Sequence, residues 1–230
     1  MSIQAKQIPA GWKKELQKET AIVAYLDLSN MFHWQKVLRW RFRFEDVVSE
    51  LFAIHGMKEV RVYYGLDERN LKRSQSFHKR IRKTGAILKA KPVKYIKKTI
   101  GEALLFKERT LTLFDDGVTI KLKELVEEVQ KSGILIEEPK CNFDVEMTMD
   151  ILDDLEKVSA IMLFSGDSDF HAPLERLKVK GKRIYVVGVR GQTSKELFEI
   201  CNRYINFGHF YQGKKNRPYS ENPTTSGGTA

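Results

Sequence analysis

The chain alternates short apolar runs with amphipathic stretches. Ala21-Ile22-Val23-Ala24-Tyr25-Leu26 is apolar, partly β-branched and stops at Asp27, the pattern of a strand buried on both faces. Glu59 to Tyr64, Ala160 to Phe164 and Arg183 to Val187 repeat it, each bounded by polar residues or glycine. Between them, helical periodicity covers Phe44 to His55, Leu71 to Lys83, Val145 to Leu155, Ala172 to Lys180 and Ser194 to Asn202. Strands alternating with helices predict an α/β fold around a central parallel sheet.

One segment breaks the alternation. Thr110 to Phe114 and Val118 to Ile120 flank Asp115-Asp116-Gly117, so residues 105–122 are predicted to form a β-hairpin insertion. Lys121 to Lys131 then reads as a helix stopped by Gly133, and Ile134 to Ile136 as a short strand. Residues 1–20 are charged and read as an N-terminal extension, and residues 21–212 as the folded domain. Residues 213–230, rich in Gly, Ser, Thr, Pro and Asn, are predicted to be a disordered tail.

Charge adds a partner class. A formal net charge of +10 suits a polyanion, because lysine and arginine displace counterions from phosphates. Cys141 and Cys201 are the only cysteines and lack any spacing that would suit zinc. The charged start is unlike a secretory signal, and no run approaches the roughly 20 apolar residues of a membrane helix. A soluble cytoplasmic protein with no membrane partner is the expectation.

The candidate chemistry lies where strands end. In parallel α/β sheets ligands bind beyond the carboxyl ends of the strands, and two of the predicted strands run into Asp27-Leu28-Ser29-Asn30 and Ser165-Gly166-Asp167-Ser168-Asp169-Phe170. Each acid alone also reads as an ordinary helix cap. Together they are harder to explain so, because neighbouring carboxylates repel unless a cation shares them, and hard oxygen ligands select Mg²⁺ or Mn²⁺. A third acidic stretch contains Asp144, Glu146 and Asp150. On a helix, Asp150 lies about 120° and Glu146 about 160° around from Asp144, so they cannot share one site. Asp144, at the helix start, is the favoured ligand, and Asp150 is expected behind it or at the surface.

From Arg69 to Lys98 twelve basic residues occur without an acid, among them Lys72, Arg73, Lys79, Arg80, Arg82 and Lys83. One-sided charge argues for phosphate contact, with Phe77, His78 and Tyr95 interleaved as platforms for unpaired bases. Arg39, Arg41 and Arg43, just after the Asp27 turn, form a second candidate clamp. Their bland alternative is a helix whose Trp34, Val37, Leu38 and Phe42 pack inward.

The three acidic pieces, in this order, resemble the NYN domain family, in particular its LabA-like branch within the PIN-like nucleases. The resemblance runs from about Ala21 to Phe207 and rests on Asp27-Leu28-Ser29-Asn30, on Asp144-Val145 through Asp150-Ile151-Leu152, and on Ser165 to Phe170, the most specific element. It departs from the family pattern at Cys141-Asn142-Phe143, where many relatives carry Lys-Gly-Val before the aspartate. It implies a PIN-like three-layer fold with Asp27, Asp144, Asp167 and Asp169 around one or two divalent cations, and cleavage of phosphodiester bonds. Asn30 would serve the same centre, with Ser29, Ser165, Ser168 and Asp150 around it. RNA is the implied substrate, with DNA and a second copy of the chain left open as partners. Two other classes compete: a catalytically silent RNA-binding or scaffold protein, and a haloacid dehalogenase-type phosphatase. The latter normally needs Asp-x-Asp where this chain has Ser29.

Overall fold

The central apolar runs are buried along almost their whole length, as strands covered on both faces must be. The computed structural model describes residues 11–99 and 135–211, isolated positions between 121 and 133, residue 213, and the backbone of 216–218. In chain order its strands are β1 (Ile22–Asp27), β2 (Trp40–Arg41), β3 (Met57–Tyr63), β4 (Ile87–Lys89), β5 (Lys94–Thr99), β6 (Leu135–Lys140), β7 (Ala160–Phe164), β8 (Arg183–Gly188), β9 (Arg203–Asn206) and β10 (Asn216–Pro218). Its helices are α1 (Gly11–Leu16), α2 (Leu28–Leu38), α3 (Phe44–Phe52), α4 (Leu71–Lys83), α5 (Asp144–Asp153), α6 (His171–Val179), α7 (Lys195–Ile200) and α8 (Phe207–Phe210).

Six strands form one parallel sheet in the order β4-β3-β1-β7-β8-β9. The chain builds outward from β1 in one direction through β3 and β4, then in the other through β7, β8 and β9. The direction therefore reverses between β1 and β7, the kind of position beyond whose strand ends open α/β sheets bind ligands.

The two faces of the sheet divide the sequence. Ile22, Ala24 and Leu26 of β1, Val60 and Val62 of β3, and Ala160, Met162 and Phe164 of β7 join one core with Met31 and Trp34 of α2, Val47, Val48 and Leu51 of α3, Ile81 of α4, and Phe207 and Phe210 of α8. Tyr25, Arg61 and Tyr63 alternate onto the opposite face and meet α5 and the residues flanking it. Helices thus cover both faces, giving the expected α/β architecture. Among the described residues no helix is long and apolar enough to cross a membrane.

Several boundaries differ from the expectations. The fold includes residues before Ala21: Trp12 and Leu16 of α1 are buried in the core, and Glu15 is ion-paired with Arg203. Residues 216–218, assigned by composition to a disordered tail, pair antiparallel with β2. The strand expected at 134–136 extends to Lys140 and pairs antiparallel with β5. The β5–β6 pair belongs to a second compact unit, Pro92–Cys141, apart from the unit that holds the parallel sheet. The hairpin expected at 105–122 lies outside the described residues apart from Lys121.

Candidate metal centre and active site

Asp27 is the last residue of β1, and Ser165 follows the last residue of β7, so the two strands that flank the reversal point deliver the first acids to it. Asp27 caps α2: its Oδ1 accepts the Asn30 backbone N–H at 3.0 Å. Asp167 caps the short 3-10 turn Ser168–Phe170 in the same way, accepting the Asp169 N–H at 3.0 Å. The capping role foreseen for each acid is therefore real. It uses one carboxylate oxygen and leaves the other for a ligand. Ser165 is fully buried and accepts the Asp167 N–H at 3.3 Å, and its hydroxyl favours the ionised form of Asp27.

Asp144 opens α5 from the other side. Asn142 accepts its backbone N–H at 2.7 Å and also hydrogen-bonds its carboxylate. The carboxylates of Asp144, Asp167 and Asp169 offer oxygens all within 4.8 Å of one another. Asp27 stands outside that trio but within reach of its field. Burial pushes the Asp27 carboxyl up to about 6, and the charges of Asp144 and Asp167 push the same way, while the Asn30 N–H opposes them. Burial raises the Asp144 carboxyl too, with Asp167 and Asp169 adding to the shift. Acids held together against their own repulsion, all oxygen and no sulfur, fit a hard divalent cation.

Gly166 explains the shape of the second turn. A Cβ there would lie 1.8 Å from the carbonyl oxygen of Gln192, and the Gly166 carbonyl accepts the Ser194 N–H at 2.9 Å. The loop after β8 is packed directly on the acid-bearing turn, which only glycine permits.

The remaining predicted residues separate. Asn30 reaches the centre through its backbone N–H bonded to Asp27; Ser29 is half-buried and Ser168 exposed. Asp150 faces away from the trio and accepts the Tyr63 hydroxyl at 2.6 Å and Lys89 at 3.1 Å. Arg39, Arg41 and Arg43 are exposed around the buried Phe42, and Trp34 is buried as the packed reading expected, while Val37 is 47% exposed. Lys72, Arg73, Lys79, Arg82 and Lys83 line the exposed side of α4, where Arg80 is held by Glu45.

Two expectations are corrected. Phe77 packs among Phe32, Phe44 and Tyr64, and His78 is buried with its Nε2 3.1 Å from the Gly65 carbonyl oxygen. Neither offers a free face to a base. Periodicity decides it: Phe77, His78 and Ile81 share the inner stripe of α4. Sequence reasoning also missed Asn142, Lys91 and Asp154. Lys91 is ion-paired with Glu146, lies 4.9 Å from the Phe143 ring, and its charge acts on Asp144. Only the fold brings β4 to α5, so no local signal announced it.

Residues 112–208 match the family model described as NYN domain, a stretch that contains Asp144, Asp167 and Asp169. Low amplitude and bright protein LabA of Synechococcus elongatus is 34% identical over 90 residues. Over these stretches the chain is similar to NYN, LabA-like proteins. That alignment covers 39% of this chain and 48% of the relative, so the chain spans about half of the curated protein it matches. A crystal structure of a protein of unknown function from Vibrio parahaemolyticus superimposes with a TM-score of 0.57 at 19% identity, covering 84% of this chain and 96% of that one. It shares the α/β fold. The NYN match points to the PIN-like nucleases as a class, and to nucleic acid as the kind of partner.

Proposed function

We propose that this chain is a divalent-metal-dependent nuclease, an endoribonuclease that hydrolyses phosphodiester bonds in RNA held on a basic surface. The observation that carries the reading is the convergence of the Asp144, Asp167 and Asp169 carboxylates within 4.8 Å, beside Asp27, at the reversal point of the sheet. These four aspartates would hold Mg²⁺ or Mn²⁺. Such an ion, when bound, lowers the pKa of water and offsets charge on a reacting phosphate.

The chain's own part is positioning. Capping fixes one oxygen of Asp27 and of Asp167, Ser165 favours the ionised form of Asp27, and Asn142 orients Asp144. Asp27 must lose its proton before it can serve as a ligand. Arg39, Arg41 and Arg43 and the outer face of α4 would track the backbone of the substrate, since exposed cations bind phosphates without reading sequence. The preference for RNA, with DNA as the other candidate, rests on the family alone.

The test is cleavage of single-stranded and structured RNA with Mn²⁺ by wild type and by Asp167→Asn. The reading expects cleavage by wild type, its loss in the variant, and equal retention of RNA by both in a gel shift. Equal cleavage by both would remove the site assignment. RNA bound and left whole by the wild type would favour a silent binding protein, and release of phosphate from small phosphomonoesters would favour a phosphatase.

A further inference from the structure

The face of α5 turned to the sheet carries two acids one turn apart, Asp150 and, at the C-cap, Asp154. Neither is free. Asp154 is buried, accepts the Tyr25 hydroxyl at 2.6 Å and pairs with the Arg61 guanidinium at 2.8 Å. Asp150 accepts the Tyr63 hydroxyl at 2.6 Å and pairs with Lys89 at 3.1 Å, with Arg61 at 4.0 Å between the two acids. Arg61 is itself oriented by Glu59, whose Oε2 accepts its Nε–H at 2.9 Å. Tyr25 and Tyr63 are fully buried.

Tyr25 lies on β1, which ends at Asp27, and Tyr63 and Arg61 lie on the neighbouring strand β3. Asp27 lies opposite Tyr63, and Tyr25 opposite Arg61, in the β1–β3 register, so Asp27, Tyr25, Tyr63 and Arg61 share one face of adjacent strands. The helix bound to that face begins with Asp144. Its apolar contacts, Met147 and Ile151, are nondirectional and permit a helix to slide or roll. Hydrogen bonds to two carboxylates at i and i+4 do not, because each fixes a distance and an angle. At the front end Asn142 accepts the Asp144 N–H and Lys91 pairs with Glu146; Asp150 and Asp154 fix the helix from the sheet side.

We infer that Asp150 and Asp154, clamped by Tyr63, Lys89, Tyr25 and Arg61, are positioning residues that hold α5 in the orientation that brings the Asp144 carboxylate to Asp167 and Asp169. The inference rests on the metal-site reading proposed above. It assigns a role to a charged network that touches neither substrate nor metal, and it makes Tyr63, not an acid, the residue whose loss loosens the centre most selectively. Tyr63→Phe removes one hydroxyl and leaves the ring and the Lys89 ion pair.

The experiment is a Mn²⁺ titration of the full chain, followed by the electron paramagnetic resonance signal of the free ion, with melting temperatures measured in parallel. Wild type, Tyr63→Phe, Tyr25→Phe/Tyr63→Phe and Val48→Ala are compared. Val48 lies in the core on the other face of the sheet, so Val48→Ala lowers stability and should leave Mn²⁺ affinity within about twofold. The tyrosine variants are expected to weaken Mn²⁺ binding about tenfold or more, the range seen when support behind a metal ligand is removed. Lys89→Met gives the same comparison should the double variant fail to fold. Wild-type affinity in Tyr63→Phe and Lys89→Met, whatever their melting temperatures, would overturn the inference and leave the metal site standing. Wild-type protein that binds no Mn²⁺ would overturn the metal site itself and this role with it.

Discussion

Asp27 holds one backbone N–H and stands in the field of two other carboxylates, and these duties conflict. The cap favours the ionised form, whereas burial and the charges of Asp144 and Asp167 disfavour it more. With its carboxyl at about 6 in the folded chain, Asp27 binds a proton in the native state at pH values where the unfolded chain has released it. Stability of the metal-free protein therefore falls as pH rises from about 4 to about 6. Asp27→Asn should remove that penalty and raise the melting temperature at pH 7, by no more than about 3 kcal/mol of stability; a lower melting temperature would show that the cap matters more than the charge. The same proton competes with a cation, so the Mn²⁺ concentration for half-saturation should climb as pH drops below about 6 in wild type, and climb less in Asp27→Asn. Gly166→Ala drives a methyl group into the Gln192 carbonyl. It should destabilise by about 1–3 kcal/mol and weaken Mn²⁺ binding, which calorimetry of the same sample would read. Residue types at the strand ends were legible in sequence because repelling acids need a reason. Their support was legible only in part: Ser165 follows from the motif, whereas Asn142 and Lys91 act through pairings that exist only once the residues after β4 and the start of α5 have met.

At the scale of elements, α4 shows how charge can mislead where periodicity does not. Its cations face outward, while Phe77, His78 and Ile81 form the stripe that packs on the sheet and on α3. Burial holds the His78 imidazole below its ordinary value, against the pull of the Gly65 carbonyl, as befits a core histidine. Phe77→Ala should cost about 3 kcal/mol in denaturant unfolding and leave RNA affinity unchanged in the folded fraction. Lys79→Ala/Arg82→Ala should do the reverse, keeping stability and lowering the slope of log affinity against log salt by about 1.4 if each contacts one phosphate. An RNA defect in the first variant alone would restore base stacking by Phe77. The apolar strands β1, β7 and β8 and helix α4 were plain in the pattern because one face or both must be buried. β4 and β9 are short, and β5 sets Tyr95 and Ile96 among Lys94, Lys97 and Lys98 without alternation, so their pairing came from neighbours and not from composition.

At the scale of the molecule, the parallel sheet and its helices form one unit and Pro92–Cys141 a second. The NYN match, residues 112–208, begins inside the second unit and omits β1, so Asp27 enters the site on geometry and sequence motif. A net charge of +10 surrounds a centre that gathers carboxylates. That combination suits a polyanion brought to a cation, and it is the core of the proposed nuclease. The most direct measurement is incubation of circular single-stranded RNA with the purified chain and Mn²⁺, resolved on a denaturing gel. The proposal predicts conversion of circles to linear RNA and shorter pieces, dependent on Mn²⁺ and lost in Asp167→Asn. Circles that are bound yet stay intact at saturating Mn²⁺ would contradict it.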